Sequence, residues 1–213
     1  MRPLRLLNAY IGRVAEPPRI RAQRGHRASR EIARSEHVLL RTPTRNDESE
    51  FLELLRASRE LHAPWEADMR GVDPCSHAFF ARYMRFGPRT RRLRCLVCSV
   101  ASQRIVGSIS LSDWQRAPGV PATLGYWIGA PYARRGFMRQ ALELLLAHAF
   151  DAERVAQIDA YVLPDNAASK ALLAKLGFRM TGIAVAYRKL RGVERDHERW
   201  TITRAAYLPQ SRK

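Results

Sequence analysis

From Val38 onward the chain alternates between two hydrophobic spacings, one of about two residues and one of three to four. Val38-Leu39-Leu40 reads as a short strand. Thr44-x-x-Asp47 has the form of a capping box with Asp in place of Glu, and Phe51, Leu54, Leu55 and Ser58 follow at helical spacing. A second helix is predicted over Ser76 to Arg85. Leu93 to Ala101 and Arg104 to Leu111 read as two strands of a hairpin turning at Ser102-Gln103. Thr123 to Gly129 is a further strand. Met138, Ala141, Leu142, Leu145 and Ala149 then mark one face of a helix, and Ile158 to Leu163 a strand. Asn166 to Leu176 reads as a helix with Gly177 at C′ and Phe178 after it, a Schellman-type stop. Tyr187 to Leu190 and Glu198 to Thr203 close the pattern as two strands.

Strand, helix and strand over Thr123–Leu163 require parallel pairing through a right-handed crossover, whereas the hairpins require antiparallel pairing. The expected fold class is therefore α/β: one domain with a mixed, mostly antiparallel sheet and helices on both faces.

Residues 1–37 break the pattern. They lack a sustained apolar period, contain Pro17-Pro18, and carry nine Arg against Glu16, Glu31 and Glu36. The reading is a basic, disordered extension over 1–37, a folded domain over 38–205 and a short tail over 206–213. An Arg-rich targeting segment or a start site placed too far upstream would give the same picture at the N-terminus.

Composition narrows the partners. Hydrophobic residues make up 46% and charged residues 27%, an ordinary globular balance. The longest apolar stretch, Ala141 to Phe150, is broken by Glu143 and His148, short of the roughly 18 residues a bilayer span needs. A soluble, cytoplasmic protein without a membrane partner is expected, as a monomer or homodimer. The net charge of +17 implies anionic partners such as nucleotide phosphates, ribosomal RNA or acidic surfaces. The three cysteines, Cys75, Cys95 and Cys98, are too few and too odd in number for a disulfide framework. Cys95-x-x-Cys98 falls within a predicted strand, where residues three apart face opposite sides, so packing rather than metal binding is expected.

The segment from Ala130 through Arg139 joins a strand to a helix and holds the clearest candidate chemistry. Backbone N–H groups at a helix start are unpaired and lie at the positive end of its dipole, so they bind phosphate. Gly136 lets the backbone turn and approach a ligand. Arg134, Arg135 and Arg139 at that end oppose the dipole unless an anion sits among them. A solvated basic loop is the plain alternative.

The order and spacing of several phrases carry a resemblance over about Val38 to Thr203. They are Leu124-Gly125-Tyr126-Trp127-Ile128, Arg135-Gly136-Phe137-Met138 with Ala141-Leu142, and Pro164-Asp165-Asn166-Ala167-Ala168-Ser169. Leu172 to Phe178, Gly182, Tyr187, Gly192 and Asp196-His197 complete them. In these the chain resembles the GNAT acetyltransferases, and within them the ribosomal-protein alanine N-acetyltransferases (RimJ/RimL-type). It departs from the superfamily's pyrophosphate-loop pattern at Ala133 and Met138, the first and last places, of which Met at the last place is familiar in the subgroup. It departs also at Arg134, where the subgroup usually has Gly, and at Gln140, where it usually has Glu. The general-acid Tyr of many such enzymes falls at Leu173.

The resemblance implies acetyl-CoA as cofactor, bound between two splayed parallel strands. Trp127, Ile128 and Gly129 would meet its pantetheine, with a backbone N–H at a bulge polarising the thioester. Arg134, Arg135, Gly136, Phe137, Met138 and Arg139 would hold the pyrophosphate. Asn166 would bind cofactor or incoming backbone, or serve simply as a helix N-cap. Ser169 would hydrogen-bond the departing thiolate, and His197, beside Asp196, would orient or accept a proton or be a structural pair. His62, Trp65 and Tyr187 would lie on the substrate side, and no metal is implied.

Direct acetyl transfer to a primary amine is expected, first of all to the N-terminal Ala or Ser of a ribosomal protein. An α-amine with a reference pKa of about 7.7–8 needs far less deprotonation than a lysine near 10.4. A small-molecule amine, antibiotic or polyamine, is the second reading. An inactive RNA- or ribosome-binding protein on the same fold is the third, although the sequence carries no stacking platform or RNA motif.

Overall fold

The structure, a computed structural model, describes residues 29–67, 71–85, 91–114 and 120–207. The described residues form one eight-stranded sheet. Its strands are β1 (Glu31–Arg34), β2 (Val38–Arg41), β3 (Arg91–Ser99), β4 (Ile105–Trp114), β5 (Ala122–Ile128), β6 (Gln157–Val162), β7 (Arg179–Leu190) and β8 (Val193–Thr203), in the order β1-β2-β3-β4-β5-β6-β8-β7. Helices α1 (Glu48–Ala57), α2 (Arg59–His62) and α3 (His77–Tyr83) lie between β2 and β3. Helix α4 (Phe137–Ala147) joins β5 to β6, α5 (Ala167–Lys175) joins β6 to β7, and α6 (Arg204–Tyr207) follows β8.

Strand periodicity divides the core into two layers. Val38, Leu40, Leu93, Cys95 and Val97 pack with α4 residues Ala141, Leu142 and Leu145 and with Leu173 of α5. Their odd-man neighbours Leu39, Leu96 and Cys98 pack instead with Phe51 and Leu55 of α1 and Phe80 of α3. Cys95 and Cys98 thus belong to opposite layers, as the period of two requires. The β5–α4–β6 crossover is parallel, and all the other strand pairs are antiparallel.

Local signals act as their chemistry dictates. Asp47 takes the Thr44 N–H at 2.6 Å and the Arg41 guanidinium at 2.6 Å, tying β2 to the first helical turn. Burial works against the Asp47 charge, but these bonds outweigh it and hold the carboxyl below its ordinary range. Gly177 adopts φ +89°, and the Gly177 and Phe178 N–H groups donate to Ala174 and Leu173 carbonyls, the two bonds of a Schellman stop.

The boundaries need correction in three places. The sheet begins before Val38: Glu31–Arg34 pairs with β2, and the Arg30 N–H bonds Thr42 Oγ1 at 2.8 Å. Residues 29–37 are therefore part of the fold, because an edge strand needs backbone partners rather than an apolar period; residues 1–28 lie outside the described residues. At the other end α6 runs to Tyr207, whose ring packs on Phe150 at 4.9 Å, so the fold extends past 205. Strands β7 and β8 are longer than predicted. Ile183 and Val185 of the edge strand β7 are exposed, and two register shifts interrupt its alternation.

Candidate active site

Strands β5 and β6 pair only at Ala122↔Ile158, Thr123↔Asp159 and Leu124↔Ala160. Beyond that point β5 continues to Ile128 and β6 to Val162 without pairing, so a wedge opens between their C-terminal ends. Helix α4 starts at the end of β5 and α5 at the end of β6. Such an opening beyond strand carboxyl ends is where α/β sheets receive ligands.

The rim of the wedge is backbone. Gly129 N–H donates to the Val106 carbonyl on β4 at 2.8 Å. Amides alternate in direction along a strand, so that of Ile128 faces the open side. The expected bulge is not present: the β4–β5 register is unbroken from Gly107↔Ile128 to Ser112↔Thr123. The unpaired N–H arises from the splay itself, which removes the neighbouring strand.

The loop before α4 matches the anion reading in its backbone and modifies it in its side chains. Gly136 adopts φ +83° as N-cap, and Arg134 adopts φ +61°. The first α4 bond is from Gln140 N–H to Gly136 O, so the N–H groups of Phe137, Met138 and Arg139 precede it without intrahelical partners. A Cβ placed on Gly136 would meet nothing within 4 Å. The glycine is thus required by its φ, and the space above it is open to a ligand. Arg134 and Arg135 are exposed, and the Arg135 guanidinium lies 5.5 Å from the Phe137 ring. Arg139 is turned along the helix onto Glu143 at 2.9 Å rather than toward the helix start. Met138 is buried in the core and Phe137 packs on Tyr132, so both offer the loop only backbone. Unpaired N–H groups, two exposed arginines and open space fit a pyrophosphate.

At the start of α5, Asn166 is an N-cap: its Oδ1 accepts the Ser169 N–H at 3.0 Å. Ser169 Oγ lies 2.5 Å from the Tyr126 hydroxyl, which reaches across from β5. Leu173, where the family's Tyr would fall, is fully buried.

The opposite layer carries His62, Trp65 and a cavity. His62 at the end of α2 donates from Nε2 to the Ile128 carbonyl at 2.8 Å, and its ring meets Trp127 edge-on at 5.5 Å. Trp127 packs in turn on Phe51 at 5.3 Å, so its partly buried side chain leans on the α1–α3 core layer. Trp65 is 38% exposed just beyond α2. A 380 Å³ cavity lies there between α1, α2, residues 72–75 and the β7–β8 tip, lined by Leu55, Arg59, His62, Glu66, Asp73 and Arg191 among others. Arg191, at the tip, donates to the Ala63 carbonyl at 3.2 Å and so straps the hairpin to α2. His62 belongs both to the cavity wall and to the wedge rim.

Tyr187 stacks on Tyr161 at 4.1 Å and meets the His197 ring at 5.2 Å. His197 Nδ1 donates to the Arg195 carbonyl at 3.0 Å, which leaves Nε2 as the basic nitrogen. Burial lowers the His197 pKa, so the ring is neutral near pH 7. Asp196 does not orient it. That carboxylate accepts the Ala186 N–H at 2.8 Å, where Ala186 adopts φ +50°, and so stabilises the irregular turn of β7. All three cysteines are buried, and burial pushes the Cys95 thiol up to about 12, which makes it a poor nucleophile. Among the described residues no three His, Cys, Asp or Glu side chains converge as metal ligands.

Sequence reasoning missed Tyr126, Tyr161, Arg191 and the cavity. Their partners are 43 residues away for Tyr126 and 128 for Arg191, and no local spacing encodes such contacts.

Comparison with known proteins agrees with this geometry. Residues 37–179 match the family described as Acetyltransferase (GNAT) domain, more than half of the chain. A probable N-acetyltransferase of Bacillus subtilis, YjcK, is 31% identical over 102 residues, 48% of this chain and 56% of that protein. The [ribosomal protein uS5]-alanine N-acetyltransferase of Escherichia coli is 31% identical over 107 residues, 50% of this chain and 55% of that protein. The chain thus spans about half the length of the curated relatives it matches. Among solved structures, Mycobacterium smegmatis RimJ in complex with CoA-disulfide superposes with a TM-score of 0.66 at 26% identity, covering 82% of this chain and 88% of that one. With the wedge, the anion loop and the family match in agreement, the chain belongs to the GNAT family of N-acetyltransferases, enzymes that take their acetyl group from acetyl-CoA.

Proposed function

We propose that this chain transfers the acetyl group of acetyl-CoA directly to the α-amine of a protein N-terminus that begins with Ala or Ser, a ribosomal protein first of all. The α4 N–H groups and Arg134 and Arg135 hold the pyrophosphate on one face of the wedge. Ile128 N–H faces the thioester carbonyl and stabilises the oxyanion. The acceptor enters from the opposite face, past His62 and the cavity strapped by Arg191. Its neutral amine attacks the thioester carbon, and His197 Nε2 or water takes the ammonium proton. Ser169 hydrogen-bonds the thiolate as the C–S bond breaks.

His197 carries this reading. It is buried and neutral, with its basic nitrogen unencumbered, on the sheet face shared with Tyr161 near the splayed end of β6. A neutral imidazole takes the proton of an amine near 7.7–8 far more readily than that of one near 10.4. The alanine N-acetyltransferase among the relatives supports the same acceptor class. The net charge of +17 would steer the enzyme toward an RNA-rich particle, so turnover on a ribosome-bound substrate should fall as salt rises.

The test is a rate comparison across peptides beginning with Ala, Ser or Met, a lysine peptide with a blocked N-terminus, spermidine and an aminoglycoside. Ala and Ser peptides should lead. A blocked lysine peptide or small amine ahead by about tenfold, or ~1.4 kcal/mol of transition-state preference, would overturn the acceptor assignment.

A further inference from the structure

Tyr126 lies on the part of β5 that has already left β6, and its side chain packs with the α4–α5 layer. Its hydroxyl is 2.5 Å from Ser169 Oγ. The backbone of Ser169 is pinned separately, because its N–H is held by Asn166 Oδ1. Only the hydroxyl rotor of Ser169 remains to be set. A phenol is a stronger acid than an aliphatic hydroxyl, so Tyr126 is the better donor and Ser169 the better acceptor in this pair. Burial pushes the Tyr126 phenol up to about 12, so it keeps the proton it donates throughout the neutral range. With Ser169 Oγ accepting from below, its own proton is directed away from Tyr126.

We propose that Tyr126 is a positioning residue that aims the Ser169 hydroxyl proton into the wedge, at the sulfur of the departing coenzyme A. This rests on the reading that Ser169 meets that sulfur. In the step itself the C–S bond breaks with its electron pair on sulfur, and Ser169 donates a hydrogen bond to the thiolate. Tyr126 keeps its proton, and the proton lost by the amine goes to His197 or water, from which the thiolate is re-protonated. The arrangement also accounts for Leu173. That position of α5 is committed to the core, and the hydroxyl offered to the sulfur is that of Ser169, aimed by Tyr126.

The test is a double-mutant cycle of Tyr126→Phe and Ser169→Ala, with acetyl-CoA and the acceptor that leads the panel above. Ser169→Ala should lower kcat by about a hundredfold, the order expected when one hydrogen-bond donor to charge developing in the transition state is removed. Tyr126→Phe keeps the ring and should lower kcat by about fivefold, the worth of one hydrogen bond, with KM and the acetyl-CoA Kd unchanged. The double variant should equal Ser169→Ala alone. An equal Tyr126→Phe penalty in the Ser169→Ala background overturns the proposal, because Tyr126 then acts through packing. Wild-type kcat for Tyr126→Phe beside a slow Ser169→Ala overturns it too and leaves Ser169 in place. Wild-type kcat for Ser169→Ala removes the Ser169 reading and this inference with it. Thermal melting of Tyr126→Phe within about 2 °C of wild type separates loss of the hydroxyl from loss of fold.

Discussion

The two faces of the wedge are built by different means. On the α4–α5 face the ligand-facing groups are largely backbone: Gly136 at φ +83°, unpaired N–H groups at Phe137 to Arg139, and the open edge of β5. On the α1–α2 face they are side chains brought from distant segments. His62 reaches Ile128 from 66 residues away, and Arg191 reaches Ala63 from 128. A backbone site is set by helix geometry and tolerates changes of side chain, which is why Ala133 and Met138 can stand where the family usually has others. A side-chain site depends on each residue, and under the proposed function it is where acceptor choice would reside.

The largest effect that separates the faces is expected at Gly136. Gly136→Val meets no steric neighbour, but its backbone conformation is costly for a β-branched residue. Acetyl-CoA affinity should fall by about a hundredfold by calorimetry, the effect of roughly 3 kcal/mol of backbone strain. Wild-type affinity would show that the loop does not hold the cofactor.

That asymmetry also explains what could be read from the sequence. The α4 loop was legible because Gly136 and a strand-to-helix junction are local signals with a fixed physical meaning. The parallel β5–β6 pair was legible from the strand–helix–strand spacing, and the Gly177 stop from its own two residues. Asn166 was readable as a cap, and its bond from the Ser169 N–H bears that out. The Asp196–His197 pair misled, because adjacent strand residues point to opposite sides and Asp196 serves the β7 irregularity instead. β1 was hidden because its four residues carry little apolar pattern. Tyr126–Ser169 and the cavity depend on tertiary placement, for which the sequence holds no local spacing.

A smaller effect should appear on the acceptor face. His62→Ala removes the bond to the Ile128 carbonyl and the Trp127 contact. It should lower kcat/KM for the acceptor by about tenfold, or ~1.4 kcal/mol, while acetyl-CoA affinity stays constant. Arg191→Ala frees the hairpin tip and should raise the acceptor KM by about threefold, the scale of one exposed hydrogen bond. Loss of cofactor affinity in either variant would erase the distinction between the faces.

The smallest effect concerns pH. Burial lowers the His197 pKa below its ordinary 6.5, so the unfolded chain binds a proton that the folded one refuses. The corresponding stability is present above 6.5 and is lost as pH falls below it through the folded value. Urea midpoints measured from pH 7.5 to 5.5, values chosen to bracket the reference His pKa of about 6.5, should decline less in His197→Gln than in wild type. Identical slopes would show that His197 is not held neutral by the fold.

The central claim is that cofactor and acceptor meet through one wedge from opposite faces. The most direct measurement is calorimetric binding of a bisubstrate conjugate, coenzyme A joined through an acetyl bridge to the α-nitrogen of an Ala-initiated peptide. The conjugate should bind more tightly than coenzyme A alone, and Gly136→Val should weaken both. His62→Ala should weaken only the conjugate, toward the affinity of coenzyme A. A conjugate no tighter than coenzyme A, or a His62→Ala variant that weakens both equally, would contradict the account.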